Sequence, residues 1–245
     1  MSLISVFKVG LNESLAFKWN IVGDILFIII QAFILLNLWN SFYPHDFTSY
    51  YLIVFFLLPS GLPLYTIIPS DFTQKVIRKG YHLTLIRPID TILFMIFKEM
   101  GYQSIIYIIK FILGLTFMVL LHLQINLFII IISLPFILLL DISLTYLISS
   151  LSFYLYSIGG FRIFINLLDR FFGGILIPLN YVKQYGSFIF ALPFAHKTFM
   201  ITQSALNGTI PYVSYAYLII WSLIFFMISL PLHILGWKRF DSLGG

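Results

Sequence analysis

Ile68-Pro-Ser-Asp-Phe-Thr-Gln-Lys-Val-Ile-Arg-Lys-Gly-Tyr-His-Leu-Thr-Leu-Ile-Arg-Pro-Ile-Asp90 is the densest island of charge in a chain that is otherwise oily. Asp71, Lys75, Arg78, Lys79, Arg87 and Asp90 all fall within it, between two long apolar segments. Lys75, Arg78, Lys79 and His82 recur at helical spacing, which predicts a short polar helix ending near Gly80. A basic connection between membrane spans belongs on the cytoplasmic side. Two readings are open for it: a loop that only sets orientation, or a docking surface for a soluble partner.

The composition makes those flanking segments membrane spans. Hydrophobic residues make up 60% of the 245, and charged residues only 9%, where soluble domains carry about a quarter. The mean hydropathy is +1.02. A spanning helix takes about 20 residues, so six spans with short connections nearly exhaust the chain. The expected fold is therefore an all-α, polytopic membrane protein, one transmembrane domain over residues 1–245. Strands of a β-barrel are excluded because the apolar runs are continuous rather than alternating. The net charge of +5 lies beside the apolar runs, where orientation and anionic lipid headgroups account for it without nucleic acid. With no cysteine in the chain, disulfide and thiol chemistry are excluded.

Working outward from the loop, residues 1–19 place Leu3, Phe7, Leu11 and Leu15 among Lys8, Asn12, Glu13 and Lys18, the pattern of an interfacial amphipathic helix. No cleavage site follows, so it is not a signal peptide. The first span is expected at 20–42 and the second at 50–69, kinked by Pro59, Gly61 and Pro63. Beyond the loop, residues 89–101 are too short and too charged to cross and are expected along the inner face. The third span then covers 103–121, with Lys110 snorkelling inward. The fourth runs over 127–152, the fifth over 163–180 and the sixth over 212–235. Residues 181–211, with Lys183 and Lys197, form an outer segment of short, partly membrane-dipping helices. Lys8, Lys18, Lys75, Arg78, Lys79, Arg87, Lys98, Arg162, Lys238 and Arg239 fall inside in this arrangement, which places both termini in the cytoplasm.

Two spans carry polar stripes. Asp141, Thr145, Ser149 and Ser152 share one face of the fourth; Arg162, Asn166, Asp169 and Gly173 share one face of the fifth, with Arg170 beside them. An Asp or Arg at mid-span costs roughly 2.5–3.5 kcal/mol on the insertion scale, so both stripes should face protein or water. Asp141 and Arg170 lie at similar depth, where an ion pair can form. The stripes serve either as glue between helices or as the lining of a substrate path. No phosphate-binding GxxxxGK[ST] loop, no HExxH pair and no GxSxG elbow occurs in the sequence. Five scattered histidines offer no metal set, and nothing points to catalysis.

Four motifs, in register over nearly the whole chain, carry a resemblance. Arg78-Lys-Gly-Tyr-His-Leu-Thr-Leu-Ile-Arg-Pro88 resembles the Leu-x-Arg-Pro stretch after the second span of type-2 ABC exporter permeases, closest to the six-span branch of bacterial drug and peptide exporters. Gly173-Gly-Ile-Leu-Ile-Pro-Leu179, Leu192-Pro-Phe194 and Arg239-Phe-Asp-Ser-Leu-Gly244 are similar to that branch's later segments. The loop departs from it in having Tyr81-His82 where Leu-Tyr is common. The resemblance implies a permease in the bacterial inner membrane that pairs with a second copy or a related chain. Each permease docks a separate cytoplasmic ABC ATPase, the dimer that binds ATP and Mg; this chain itself binds no cofactor. By the same resemblance Lys75, Arg78, Lys79, Gly80, Tyr81, His82, Arg87 and Pro88, within a coupling loop at 70–90, transmit ATPase motion to export amphiphilic drugs, peptides or lipids. Two other readings remain beside it: a non-transporting immunity or scaffold subunit, and the substrate-binding subunit of a vitamin importer.

Overall fold

Length and composition decide the four longest helices. The computed structural model describes residues 2–42, 47–59, 64–77, 90–155, 157–179 and 187–244. Helix α1 (Leu3–Ala16) is followed, across a break at Phe17, by α2 (Lys18–Phe42). Next come α3 (Thr48–Leu57), α4 (Leu64–Ile77), α5 (Thr91–Leu120), α6 (Leu127–Leu151) and α7 (Gly159–Phe172). A 3-10 turn at Ser187–Ala191 and a π-helical turn at Ala195–Met200 lead into α8 (Ile201–Asn207) and then α9 (Tyr212–Gly244). There is no strand among the described residues. Four helices, α2, α5, α6 and α9, are long and apolar enough to cross a membrane. Large apolar side chains such as Trp19, Phe33, Ile112, Phe128 and Met227 are exposed on them, as lipid-facing surfaces require.

The remaining two expected spans are not continuous helices. Residues 50–69 do not form one kinked helix: α3 ends at Leu57 in a π-helical turn, Leu58 is extended, and α4 begins only at Leu64. Prolines at 59 and 63 remove two amide donors within five residues, too many for a helix to bridge. A broken helix leaves carbonyls without partners, which is tolerated at membrane depth only when protein satisfies them. Here the Tyr107 hydroxyl of α5 donates to the Leu57 carbonyl at 2.8 Å. Replacing Tyr107 by Phe is expected to cost about 1–3 kcal/mol, the penalty of an orphaned buried acceptor, measurable as a lowered melting temperature of the purified protein.

The fifth expected span, 163–180, is also corrected. α7 stops at Phe172 and at 14 residues reaches about 21 Å, short of the roughly 30 Å hydrocarbon layer. Gly174 adopts φ +78°, which ends the helix, and Ile175 and Leu176 turn back to bond the Arg170 carbonyl. The unwound Gly173–Leu179 motif is then held from two sides. The Tyr50 hydroxyl donates to the Gly174 carbonyl at 2.7 Å and the Trp39 indole to that of Leu176 at 2.8 Å.

Residues 89–101 are a third correction. They do not form a separate surface piece, since one helix runs without a break from Thr91 to Leu120. What keeps Lys98 and Glu99 inside that helix is α1, which packs along it. Gly10 and Gly101 sit at the crossing: a Cβ on Gly10 would lie 1.8 Å from the Lys98 carbonyl oxygen, and one on Gly101 2.1 Å from that of Phe7. Backbone-to-backbone contact of this kind needs glycine on both sides. Lys98 closes the crossing with an ion pair to Glu13 at 2.8 Å. Lys110, expected to snorkel, is instead buried, with 3% of its surface exposed.

Candidate functional site

Asp141 lies midway along α6, Asp169 near the end of α7, and Lys197 in the π-helical turn of the segment before α8. The fold brings the three together. Lys197 Nζ lies 2.8 Å from Asp141 Oδ1 and 3.3 Å from Asp169 Oδ2. Tyr65 of α4 donates its hydroxyl to Asp169 Oδ2, and its ring lies 5.3 Å below the ammonium. Lys197 is only 2% exposed, and Asp141, Asp169 and Tyr65 are buried with it. Four elements, α4, α6, α7 and the turn before α8, thus meet at one charged point inside an apolar bundle.

Local structure explains how each group arrives there. On α7, Phe161, Phe164, Leu167 and Phe171 are exposed on one face, while Asp169 is buried and Arg162, Asn166 and Arg170 are half-buried. The apolar stripe looks outward and turns the acid inward. On α6, Asp141, Thr145, Ser149 and Ser152 are all buried. Thr145 donates to the Asp141 carbonyl at 2.5 Å, so its hydroxyl stays with its own helix. Ser149 Oγ is buried without a partner among the described residues. The π-helical turn adds a residue to the register at Ala195–Met200, the kind of local insertion that re-aims a side chain. Ring stacking of His196 on Tyr217, with centroids 4.2 Å apart, and a 2.7 Å bond from His196 Nε2 to the Phe190 carbonyl fix the turn beside Lys197.

Asp141 does not pair with Arg170; its partner is Lys197. Successive residues of a helix point about 100° apart, so Arg170 cannot share the inward direction of Asp169. Lys197 itself was expected on the outer surface. The segment that carries it descends far enough to reach the middle of α6, and Lys197 and Tyr65 are the two site residues that spacing alone did not reveal. A signal for Lys197 existed: two acids within spans demand a countercharge, and it is the lone cation in the apolar run 187–202.

The remaining sequence candidates lie elsewhere. Lys75 falls in the last turn of α4. Arg78, Lys79, Gly80, Tyr81, His82, Arg87 and Pro88 lie outside the described residues. The far end of that loop is anchored at Asp90, which caps α5 by accepting from the Leu93 amide at 3.0 Å and faces His233 Nε2 of α9 at 3.0 Å. Burial alone would raise the Asp90 carboxyl, but the His233 and Leu93 hydrogen bonds outweigh it and hold it below the usual range.

Beside the triad, a cleft of about 210 Å3 is bounded by Phe7, Leu64, Met100, Tyr107, Leu138 and Asp141. Its wall is almost wholly apolar, and Asp141 is its one charged side chain among the described residues. A pocket of this form binds an apolar body and orients it through few polar groups. Among the described residues no group of His, Cys, Asp and Glu is arranged to hold a metal ion.

No curated protein and no solved structure matches the chain. The family model described as ABC-2 family transporter protein matches residues 19–244, from the start of the first span to the end of the last helix. The chain therefore belongs to the ABC-2 family of transporter proteins, as a multi-pass membrane permease component of an ABC transporter.

Proposed function

We propose that this chain is the permease half of an ATP-driven exporter of amphiphilic drugs, peptides or lipids in a bacterial inner membrane. The observation that carries this reading is family membership over almost the whole length, in a chain whose sequence holds no phosphate-binding loop of its own. Two permease chains, alike or related, pair across a shared path, and a dimeric cytoplasmic ATPase that binds ATP and Mg drives them. Six crossings are made when the broken pair α3–α4 and the short α7 with its unwound extension count as discontinuous spans. The basic loop at 70–90 faces the cytoplasm with both termini. Lys75, Arg78, Lys79, Gly80, Tyr81, His82, Arg87 and Pro88 form the dock, and closure of the ATPases pushes on it to switch the spans between two states.

Charge reversal tests the dock. With a tagged permease co-expressed with its proposed ABC ATPase partner, Arg78→Glu with Lys79→Glu is expected to reduce ATPase recovery at least tenfold, while the permease elutes and melts as the wild type. Undiminished recovery, or labelling of the 70–90 loop from the outer face, overturns the coupling role.

A further inference from the structure

The buried triad holds two carboxylates and one ammonium, one negative charge in excess in a low-dielectric interior. Such an excess is costly unless a further cation compensates it. Two separate observations say where that cation would come from and how the site would receive it. First, Asp141 is the one charged residue bordering the apolar cleft among the described residues, so a molecule that buries an apolar body there brings its head beside this acid. Second, Asp169 Oδ1 is buried and has no hydrogen-bond partner among the described residues. It is a spare acceptor on the acid that Lys197 already touches through its other oxygen.

We propose that the cleft is a binding site for an amphiphile with a cationic, ammonium-type head, whose charge pairs with Asp141 while Lys197 passes wholly to Asp169. Lys197 already touches both acids, and the free oxygen of Asp169 lets it shift without losing a charge-assisted bond. Once the ligand is bound, two cations face two carboxylates and the excess is gone. The neutral head of an otherwise identical molecule leaves the excess in place, and an anionic head doubles it. Charge therefore selects the ligand, and the apolar wall accepts its body with little shape preference. This rests on the permease reading only in calling the ligand a transport substrate; the site stands on its own geometry.

The test uses three ligands of one shape, 4-phenylbutylamine, 4-phenylbutanol and 4-phenylbutanoate. Each is titrated by calorimetry into the full chain in zwitterionic lipid nanodiscs, with empty nanodiscs subtracted. The amine is expected to bind at least tenfold more tightly than the alcohol, and the carboxylate without saturation. Asp141→Asn should erase the preference, so that amine and alcohol bind alike. Leu138→Trp, which fills the cleft beside Asp141 and keeps all three charged groups, should abolish saturable binding of the amine and the alcohol. Asp24→Asn, an acid on α2 away from the cleft, should leave the preference intact. Equal binding of amine and alcohol to the wild type overturns the proposal, as does an amine preference that survives Asp141→Asn. If the chain recruits the ATPase but shows no amine preference, the site fails and the permease reading stands. If it shows the preference yet recruits no ATPase, the site stands and that reading fails.

Discussion

Lys197→Met is expected to be the most damaging single substitution in the bundle, lowering stability by about 3–5 kcal/mol. Removing the ammonium leaves Asp141 and Asp169, both buried, without the cation they share, while the Tyr65 hydroxyl still donates to Asp169. Substituting one acid works in the opposite direction. Asp169→Asn leaves a balanced Lys197–Asp141 pair at 2.8 Å, and Asp141→Asn leaves the longer 3.3 Å pair with Asp169. Both are expected to stay within about 2 kcal/mol of the wild type, the scale of a hydrogen bond to a charged group, with Asp169→Asn the milder. The triple variant Asp141→Asn, Lys197→Met, Asp169→Asn should recover most of the loss, because a buried charge group replaced as a whole costs far less than one left uncompensated. Thermal unfolding in detergent gives the ranking. If Asp169→Asn proves as harmful as Lys197→Met, the triad carries no excess charge.

A methyl group at Gly10 or Gly101 should separate α1 from α5. The clash falls on backbone carbonyls at 1.8 and 2.1 Å, so no rotamer change can relieve it, and the helices must spread along their whole contact. Overpacking of this sort costs typically 1–3 kcal/mol, and leucine should cost more than alanine at either position. The chain contains no cysteine, so a pair introduced at Glu13 and Lys98, which now form a 2.8 Å ion pair, reports the distance directly. Crosslinking of the pair by a short bismaleimide, whose reach matches two long side chains meeting tip to tip, should be efficient in the parent and fall at least tenfold with Gly101→Leu. Gly23→Ala is the matched control, because nothing lies within 4 Å of a Cβ there. Equal crosslinking in the Gly101→Leu variant would falsify the close crossing. The crossing sets the position of Phe7, which borders the cleft, so detachment of α1 should also open the cleft.

The crossing and the triad mark where reading along the chain succeeded and where it stopped. Helical periodicity was enough to place a helix within residues 1–19, and continuous apolar runs were enough for α2, α6 and α9. In those segments the local pattern and the final environment agree, because a helix that satisfies its own backbone is the general solution in lipid. The same logic failed for residues 89–101. Lys98 and Glu99 looked like the end of a span; with Glu13 paired to Lys98 and α1 covering that side, the helix simply continues. Hydropathy cannot register a neighbour that arrives from nearly a hundred residues away.

What the sequence by itself determined is a helical membrane protein, the positions of its apolar runs, and the burial of Asp141 and Asp169. Each of these follows from the cost of placing a polar or charged group in hydrocarbon, a cost that depends on residue type and spacing alone. Only the tertiary structure decided that two expected spans are broken, that Lys110 and Lys197 are buried, and that Lys197 rather than Arg170 answers Asp141. Those outcomes depend on a π-helical turn, an unwound glycine motif, and a segment that descends to the middle of α6. Each is stabilised by groups remote in sequence: Tyr107 on the Leu57 carbonyl, Trp39 and Tyr50 on the unwound carbonyls, and two aspartates on one ammonium. A broken helix is unfavourable until those distant donors are in place, so no local pattern could have announced it.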